Sequence, residues 1–254
     1  MPCVISSIFE DCQLLPHFIQ HYMGLGVVEF FFVINSHGQK ALFEQVRAFS
    51  GAITGAGANI NLCTHICTPK TDMEREMNQI RQKVVLPASY FIIADLDEFI
   101  EFPSPLPRLV EECLHGHYLF VRGYLVDRVT RDGSIPSQLG PDLWSQFPLA
   151  GSFSPHLHKG RTRKCVLQRG EMSISAGHHG PADGAGAHPQ TAKVHHFKWC
   201  GDLVGRLTRR IATEQAKGFS YWRESEAVLR HLYARNGRLN VSLLKVASPG
   251  ISET

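Results

Sequence analysis

The chain has 254 residues, 43% hydrophobic and 19% charged, with a formal net charge of +3. That is enough apolar material for a full core in one large domain, and it excludes a disordered chain. The seven cysteines are odd in number and form no Cys-x-x-Cys pair, which suggests neither a disulfide framework nor a zinc knuckle and fits reduced thiols in a cytoplasmic protein.

Residues 3–9 (CVISSIF) read as a strand, followed by a helix from Leu14 to Leu25 that ends at Gly24 and Gly26. Residues 28–34 (VEFFFVI) form a near-continuous apolar run, as expected of a strand covered on both faces. A helix over 40–49, a flexible Gly51–Gly57 connection and a strand over 59–66 come next. Thr71-Asp-Met-Glu74 has the form of a capping box, and Met73, Met77, Ile80 and Val84 make one helical stripe before Pro87. A strand over 90–94 completes a β-α-β-α-β-α-β alternation. That order predicts an α/β fold with a mostly parallel central sheet and helices on both faces, in which ligands bind at the carboxyl ends of the strands.

Beyond it the pattern predicts a short helix near 108–114, a strand over 117–126 and a loop-rich stretch over 130–163. A strand over 164–168, a Gly- and His-rich loop over 176–190, a strand over 193–199 and helices near 202–217 and 223–235 follow. No run approaches the 18 apolar residues of a spanning helix, and no secretory leader is expected, so any membrane contact would be peripheral. The whole, residues 1–254, is expected to be one domain: a nucleotide-sugar-binding half (1–100), an acceptor and metal-completing half (101–200) and a helical C-terminal segment (201–254).

Charge is unevenly distributed. Residues 1–150 carry 10 Lys/Arg against 16 Asp/Glu, and residues 151–254 carry 16 against 7. The first part suits a cation and the second an anion, although two differently solvated surfaces would look the same.

Tyr90-Phe-Ile-Ile-Ala-Asp-Leu-Asp-Glu-Phe-Ile100 is an apolar strand that stops on Asp95 and Asp97. In an extended backbone an i, i+2 spacing puts both carboxylates on one face, where they repel unless a cation lies between them. Glu98 and Glu101 add to the negative charge, which a metal-bound diphosphate would neutralise. An acidic turn after a strand is the plainer alternative.

Seven of the fourteen histidines lie between His156 and His196. His178-His179 sits in the Gly-rich loop, where a side chain can approach a ligand. Strand alternation over 193–199 places Val194, His196 and Lys198 on one face and His195, Phe197 and Trp199 on the other. An imidazole and an ammonium two residues apart suit a metal–diphosphate, and Arg161, Arg163 and Lys164 could flank the same anion. No P-loop, Gly-x-Ser-x-Gly, Gly-x-Gly-x-x-Gly or basic-aromatic repeat occurs, which weighs against P-loop phosphoryl transfer, serine hydrolysis, dinucleotide binding and nucleic-acid binding.

Four segments together carry a resemblance. They are Phe9-Glu-Asp-Cys-Gln-Leu-Leu-Pro-His-Phe-Ile-Gln-His-Tyr-Met-Gly-Leu-Gly26; Ile93-Ala-Asp-Leu-Asp-Glu-Phe-Ile100; Val121-Arg-Gly-Tyr-Leu-Val-Asp-Arg-Val129 with Gln146-Phe-Pro148; and Gly177-His-His179 with Val194-His-His-Phe-Lys-Trp199. In order and spacing they resemble bacterial family-2-like glycosyltransferases of the GT-A type, and more distantly family 92. The resemblance implies a GT-A-like, Rossmann-like fold and a nucleotide-sugar donor such as a UDP- or GDP-sugar. It implies Mn2+ or Mg2+, and a glycan or other hydroxyl acceptor. Asp97 would bind the metal, Asp95 the metal or ribose, and His196 would complete the metal site. Lys164 and Lys198 would meet the phosphates, and Glu10 and Asp11 the nucleotide base. The chain departs from the family at Phe9-Glu-Asp11, where the family has Lys-Asn-Glu, and at Asn35-Ser-His-Gly-Gln39, where an acidic residue is common.

The implied reaction is glycosyl transfer with inversion, a carboxylate deprotonating the acceptor hydroxyl. Asp127 is preferred for that role over Glu171 and Asp183. A haloacid-dehalogenase-like phosphatase also ends a strand on Asp-x-Asp, but Gly-Thr usually follows there and Glu98-Phe99 follows here. A non-catalytic nucleotide- or glycan-binding protein of the same fold is the third reading.

Overall fold

The structure is a computed structural model that describes residues 1–245, apart from 10, 36–39, 55–56, 66–69, 154–156, 158–161, 179–183, 217 and 219–221. The chain divides into two compact units, Met1–Tyr124 with Arg163–Val194, and Leu125–Thr162 with His195–Thr254.

The first unit opens with the expected alternation: β1 (Cys3–Phe9), α1 (Leu15–Gly24), β2 (Glu29–Asn35), α2 (Lys40–Thr54), β3 (Asn59–His65), α3 (Lys70–Val84) and β4 (Tyr90–Ile93). β1 runs parallel to β2 and β4, and β2 parallel to β3. β5 (Glu98–Glu101), α4 (Leu106–His115), β6 (Phe120–Val129), β8 (Arg163–Arg169) and β9 (Ala187–His196) follow, and the sheet order is β3-β2-β1-β4-β8-β6-β9-β5. The α/β fold with a parallel core of strands is as expected. β8 adds an antiparallel extension by pairing with both β4 and β6.

The apolar runs are continuous because both sheet faces are covered. Ile5, Val33, Phe91 and Ile93 pack with Met73, Met77 and Ile80 of α3. On alternate positions Phe32 and Phe30 stack, and Phe32 lies 6.0 Å in ring centroid from Phe18 of α1. Met73, Met77 and Ile80 of the expected stripe are therefore the buried face of α3, whereas Val84 is exposed and Val85 packs in its place. The helix begins at Lys70, and the side chains of Thr71 and Asp72 lie outside the described residues.

Three boundaries differ from the sequence reading. α2 runs through Gly51 to Thr54, because one glycine costs a helix only about 1 kcal/mol. β6 covers Phe120–Val129, so Asp127 lies inside the strand and not after it. β9 begins at Ala187 and ends at His196, so Phe197, Lys198 and Trp199 follow the strand.

The second unit contains α5 (Leu143–Gln146), β7 (Leu149–Gly151), α6 (Leu203–Ala216) and α7 (Trp222–Tyr233), with β7 antiparallel to Asp127–Val129. Its core gathers Val129, Phe153, Trp199, Leu203, Val228, Leu232 and Leu239.

Candidate functional site

Asp95, Asp97, Lys164 and His178 belong to the first unit, as do Asp11 and Glu171. Asp127, His195, His196 and Lys198 belong to the second. Glu10, Arg161, His179 and Asp183 lie outside the described residues.

β4 stops at Ile93, at the carboxyl end of a strand in the parallel part of the sheet. The chain then turns: Glu98 N–H donates to the Asp95 carbonyl at 2.9 Å. Asp95 and Asp97 therefore do not sit in extended backbone, and the alternation argument that put them on one face does not apply. The Glu98 side chain folds back and accepts from Asp95 N–H at 3.1 Å, closing the turn from both ends. α1 props the strand that follows: Tyr22 O–H donates to the Glu98 carbonyl, and a His21 ring nitrogen meets the Ile100 carbonyl, both at 3.0 Å. Burial, and next the Glu98 carboxylate, push the Tyr22 phenol well above its ordinary value, which keeps it a donor.

Lys164 enters this turn from β8. The antiparallel pairing sets Ile92 opposite Leu167 and Tyr90 opposite Arg169. Continuing the same register sets Lys164 opposite Asp95. Its ammonium lies 2.7 Å from Asp95 Oδ2 and also contacts Glu98 Oε1. The Lys164 side chain is 9% exposed and that of Glu98 2%. Burial pulls the ammonium down, but the two carboxylates outweigh it and hold the lysine above its ordinary range, fully charged. On the other side His178 Nδ1 lies 4.0 Å from Asp95 Oδ1. Gly177 and His178 both adopt positive φ, 65° and 59°, which turns the buried imidazole into place. One oxygen each of Asp95 and Glu98 and one nitrogen of His178 lie within 4.8 Å of one another, a spacing that a metal ion can bridge.

Glu98 and His178 are thus closer to the centre of this cluster than the Asp-x-Asp spacing suggested. His178 was visible in the sequence only as part of a loop. Asp11 accepts from Gln13 N–H at 3.2 Å, fixing the approach to α1. Glu171 is half-exposed and 3.6 Å from Arg169.

In the second unit Asp127 is 2% exposed. Its Oδ2 accepts from Phe153 N–H at 2.8 Å and its Oδ1 from the Trp199 indole at 3.2 Å, with His196 Nδ1 3.6 Å from the same Oδ1. His195 points its ring edge-on to Trp144, 4.9 Å between centroids. The two histidines therefore go to different neighbours, as alternation requires up to the end of β9. Lys198 lies past that end: its ammonium sits 4.5 Å from the Trp199 ring centroid, so the two are not on opposite faces.

No protein-family model matches the chain, and no curated protein matches it in sequence. Among solved structures it is similar to a UDP-glucose pyrophosphorylase complexed with UDP-glucose, at 8% identity and a TM-score of 0.33, covering 56% of this chain and 65% of that one. It is similar to HddC from Yersinia pseudotuberculosis, at 12% identity and 0.34, covering 67% and 75%. It is similar to a UTP-bound UGPase from Acinetobacter baumannii, at 9% identity and 0.32, covering 91% and 82%. The chain spans less than two thirds of the first of these. Likenesses of this size assign it to no family.

Proposed function

We propose that the chain is a metal-dependent glycosyltransferase that moves a sugar from a nucleotide-sugar donor to an acceptor hydroxyl with inversion. The observation that carries this is the acidic turn Asp95–Glu98 closing β4 at the carboxyl edge of the parallel strands, where α/β sheets take their ligands. The four-segment resemblance supports the same reading. The resemblance makes Asp97 and His196 the proposed metal ligands, Asp95 a ligand of the metal or ribose, and Lys164 and Lys198 the proposed phosphate contacts, with Asp11 and Glu10 toward the nucleotide. A bound Mn2+ or Mg2+ would act as a Lewis acid on the departing diphosphate. Asp127, buried and bonded on both oxygens, suits orienting His196 better than acting as the base.

The decisive experiment is a thermal-shift panel of nucleotide sugars with and without Mn2+. A UDP- or GDP-sugar at a hundredfold excess over its Kd is expected to stabilise the chain by about 2.7 kcal/mol, in the presence of metal only. Asp97→Ala should abolish both that shift and metal-dependent hydrolysis of the nucleotide sugar with the fold intact. Binding without any turnover would favour a binding protein, and covalent phosphorylation at Asp95 would favour a phosphatase.

A further inference from the structure

We infer that Asn78 of α3 is a positioning residue of the proposed metal site: it holds the Ser175–His178 turn so that the His178 imidazole stands beside Asp95 as a nitrogen donor to the metal. The inference rests on the reading of the acidic turn as a metal site. It goes beyond that reading by bringing α3 into the site and naming the group through which the helix acts.

The contacts converge on one residue of the loop after β8. Asn78 Oδ1 accepts from Ile174 N–H at 2.8 Å, and Asn78 Nδ2 donates to the Ile174 carbonyl at 2.9 Å. Nδ2 also donates to the Glu74 carbonyl at 2.8 Å, one turn back on α3. Both amide hydrogens are therefore used, and only one orientation of the side chain makes all of these bonds. Because the amide meets the N–H and the C=O of the same residue, the loop cannot slip along the helix without breaking both bonds. Arg81, nearly one turn further along α3, donates to the Gly170 carbonyl. The Ile174 side chain is buried in one cluster with Met73, Met77 and Ile80 of the same helix. α3 thus grips the segment that leads from β8 to His178 at both Gly170 and Ile174.

Only Ser175, Ala176 and Gly177 separate Ile174 from His178, and His178 N–H donates back to the Ser175 carbonyl at 2.9 Å. A link that short, closed into a turn, leaves His178 little freedom once Ile174 is fixed. Gly177 and His178 both have positive φ, 65° and 59°. For a histidine that backbone is uncommon, and it persists where the surroundings over-determine it. The result is a buried imidazole whose Nδ1 lies 4.0 Å from Asp95 Oδ1. One of its nitrogens falls within 4.8 Å of one oxygen each of Asp95 and Glu98. A metal-binding group has to be held to a fraction of an ångström, and hydrogen bonds from a rigid helix supply that hold.

The test is a titration with Mn2+ alone, followed by the EPR signal of the free ion, with a thermal melt of each protein. It compares the native chain, Asn78→Ala, His178→Ala and the double variant. Asn78→Ala should weaken Mn2+ binding by about 10- to 100-fold, as loss of a group that orients a metal-bound histidine does. His178→Ala should weaken it at least as much. The double variant should bind no more weakly than His178→Ala, because Asn78 acts through that imidazole. A merely structural asparagine would lower the melt in both backgrounds and leave Mn2+ affinity alone. The inference is overturned if folded Asn78→Ala binds Mn2+ as the native chain does. It is also overturned if Asn78→Ala weakens binding by the same factor with and without His178. If Asn78→Ala does not fold, Asn78→Asp, which keeps an acceptor for Ile174 N–H, goes through the same cycle and decides. Absence of Mn2+ uptake by the native chain sinks the metal reading and this assignment with it, whereas native uptake that is unchanged in His178→Ala sinks this assignment alone.

Discussion

Both oxygens of Asp127 already accept hydrogen bonds, one from the Phe153 main chain and one from the Trp199 indole, at a position that is 2% exposed. A general base needs a lone pair turned toward the acceptor hydroxyl, and each oxygen of this carboxylate is already engaged by a donor within the protein. What it does offer is negative charge 3.6 Å from His196 Nδ1, which favours a proton on that nitrogen and would leave Nε2 for the proposed metal. Asp127→Asn keeps the shape but turns one donor toward another. It is expected to cost about 1–3 kcal/mol of stability, read from denaturant midpoints. It is also expected to weaken Mn2+ binding by about 10- to 100-fold, as loss of a group that orients a metal-bound histidine does. Full Mn2+ affinity with turnover abolished would return Asp127 to the role of base.

At the level of elements, the acidic turn is built by pairing. β8 is joined to β4 on one side and β6 on the other, and the register that sets Arg169 opposite Tyr90 delivers Lys164 to Asp95. Close packing of β6 under this strand depends on Gly123, where a Cβ would lie 2.5 Å from Val194 Cγ2 and 2.7 Å from Val166 Cγ1. Both neighbours are branched at the Cβ and cannot swing clear at low cost. Gly123→Ala should therefore destabilise by about 1–3 kcal/mol, the usual penalty for overpacking. Val194→Ala in the same chain should return part of that loss, and a double variant no more stable than Gly123→Ala would show that the strain lies elsewhere. The β-α alternation of residues 3–93 was legible because apolar periodicity, glycines and Pro87 are local signals. The start of β9 was not, because Pro189 and the glycines before it mark a loop when neighbouring strands are out of view. Nor was the place of Lys164, which comes from antiparallel pairing between residues about seventy apart. The turn at Asp95–Glu98 was misread as extended because nothing in its composition announces that the chain turns as soon as the strand ends at Ile93.

At the scale of the whole molecule, buried thiols and one histidine shape the pH range of stability. Burial pushes the Cys3 thiol up to about 12, with Glu29 adding to it, and the Cys113 thiol up to about 11, with Glu112 adding. Burial likewise takes Cys165 to about 12 against the pull of Arg122. An unfolded thiol ionises near pH 8.5, well below the folded value of Cys3. The folded state therefore holds more protons than the unfolded state between those limits, and stability falls as pH rises through that window. His231 acts at the acid end. Its neutral ring accepts from Asn240 N–H at 3.2 Å, and burial, then Arg235, lower its pKa. The stability tied to that neutral ring is present above the unfolded value of about 6.5 and lost as pH falls toward the folded one. Denaturant midpoints should accordingly peak between about pH 7 and 8.5 and decline on both sides. Cys113→Ala should lower the peak, because it opens a small cavity, yet flatten the alkaline limb, because one thiol no longer ionises on unfolding. An alkaline limb equally steep in Cys113→Ala would mean that the buried thiols are not its source.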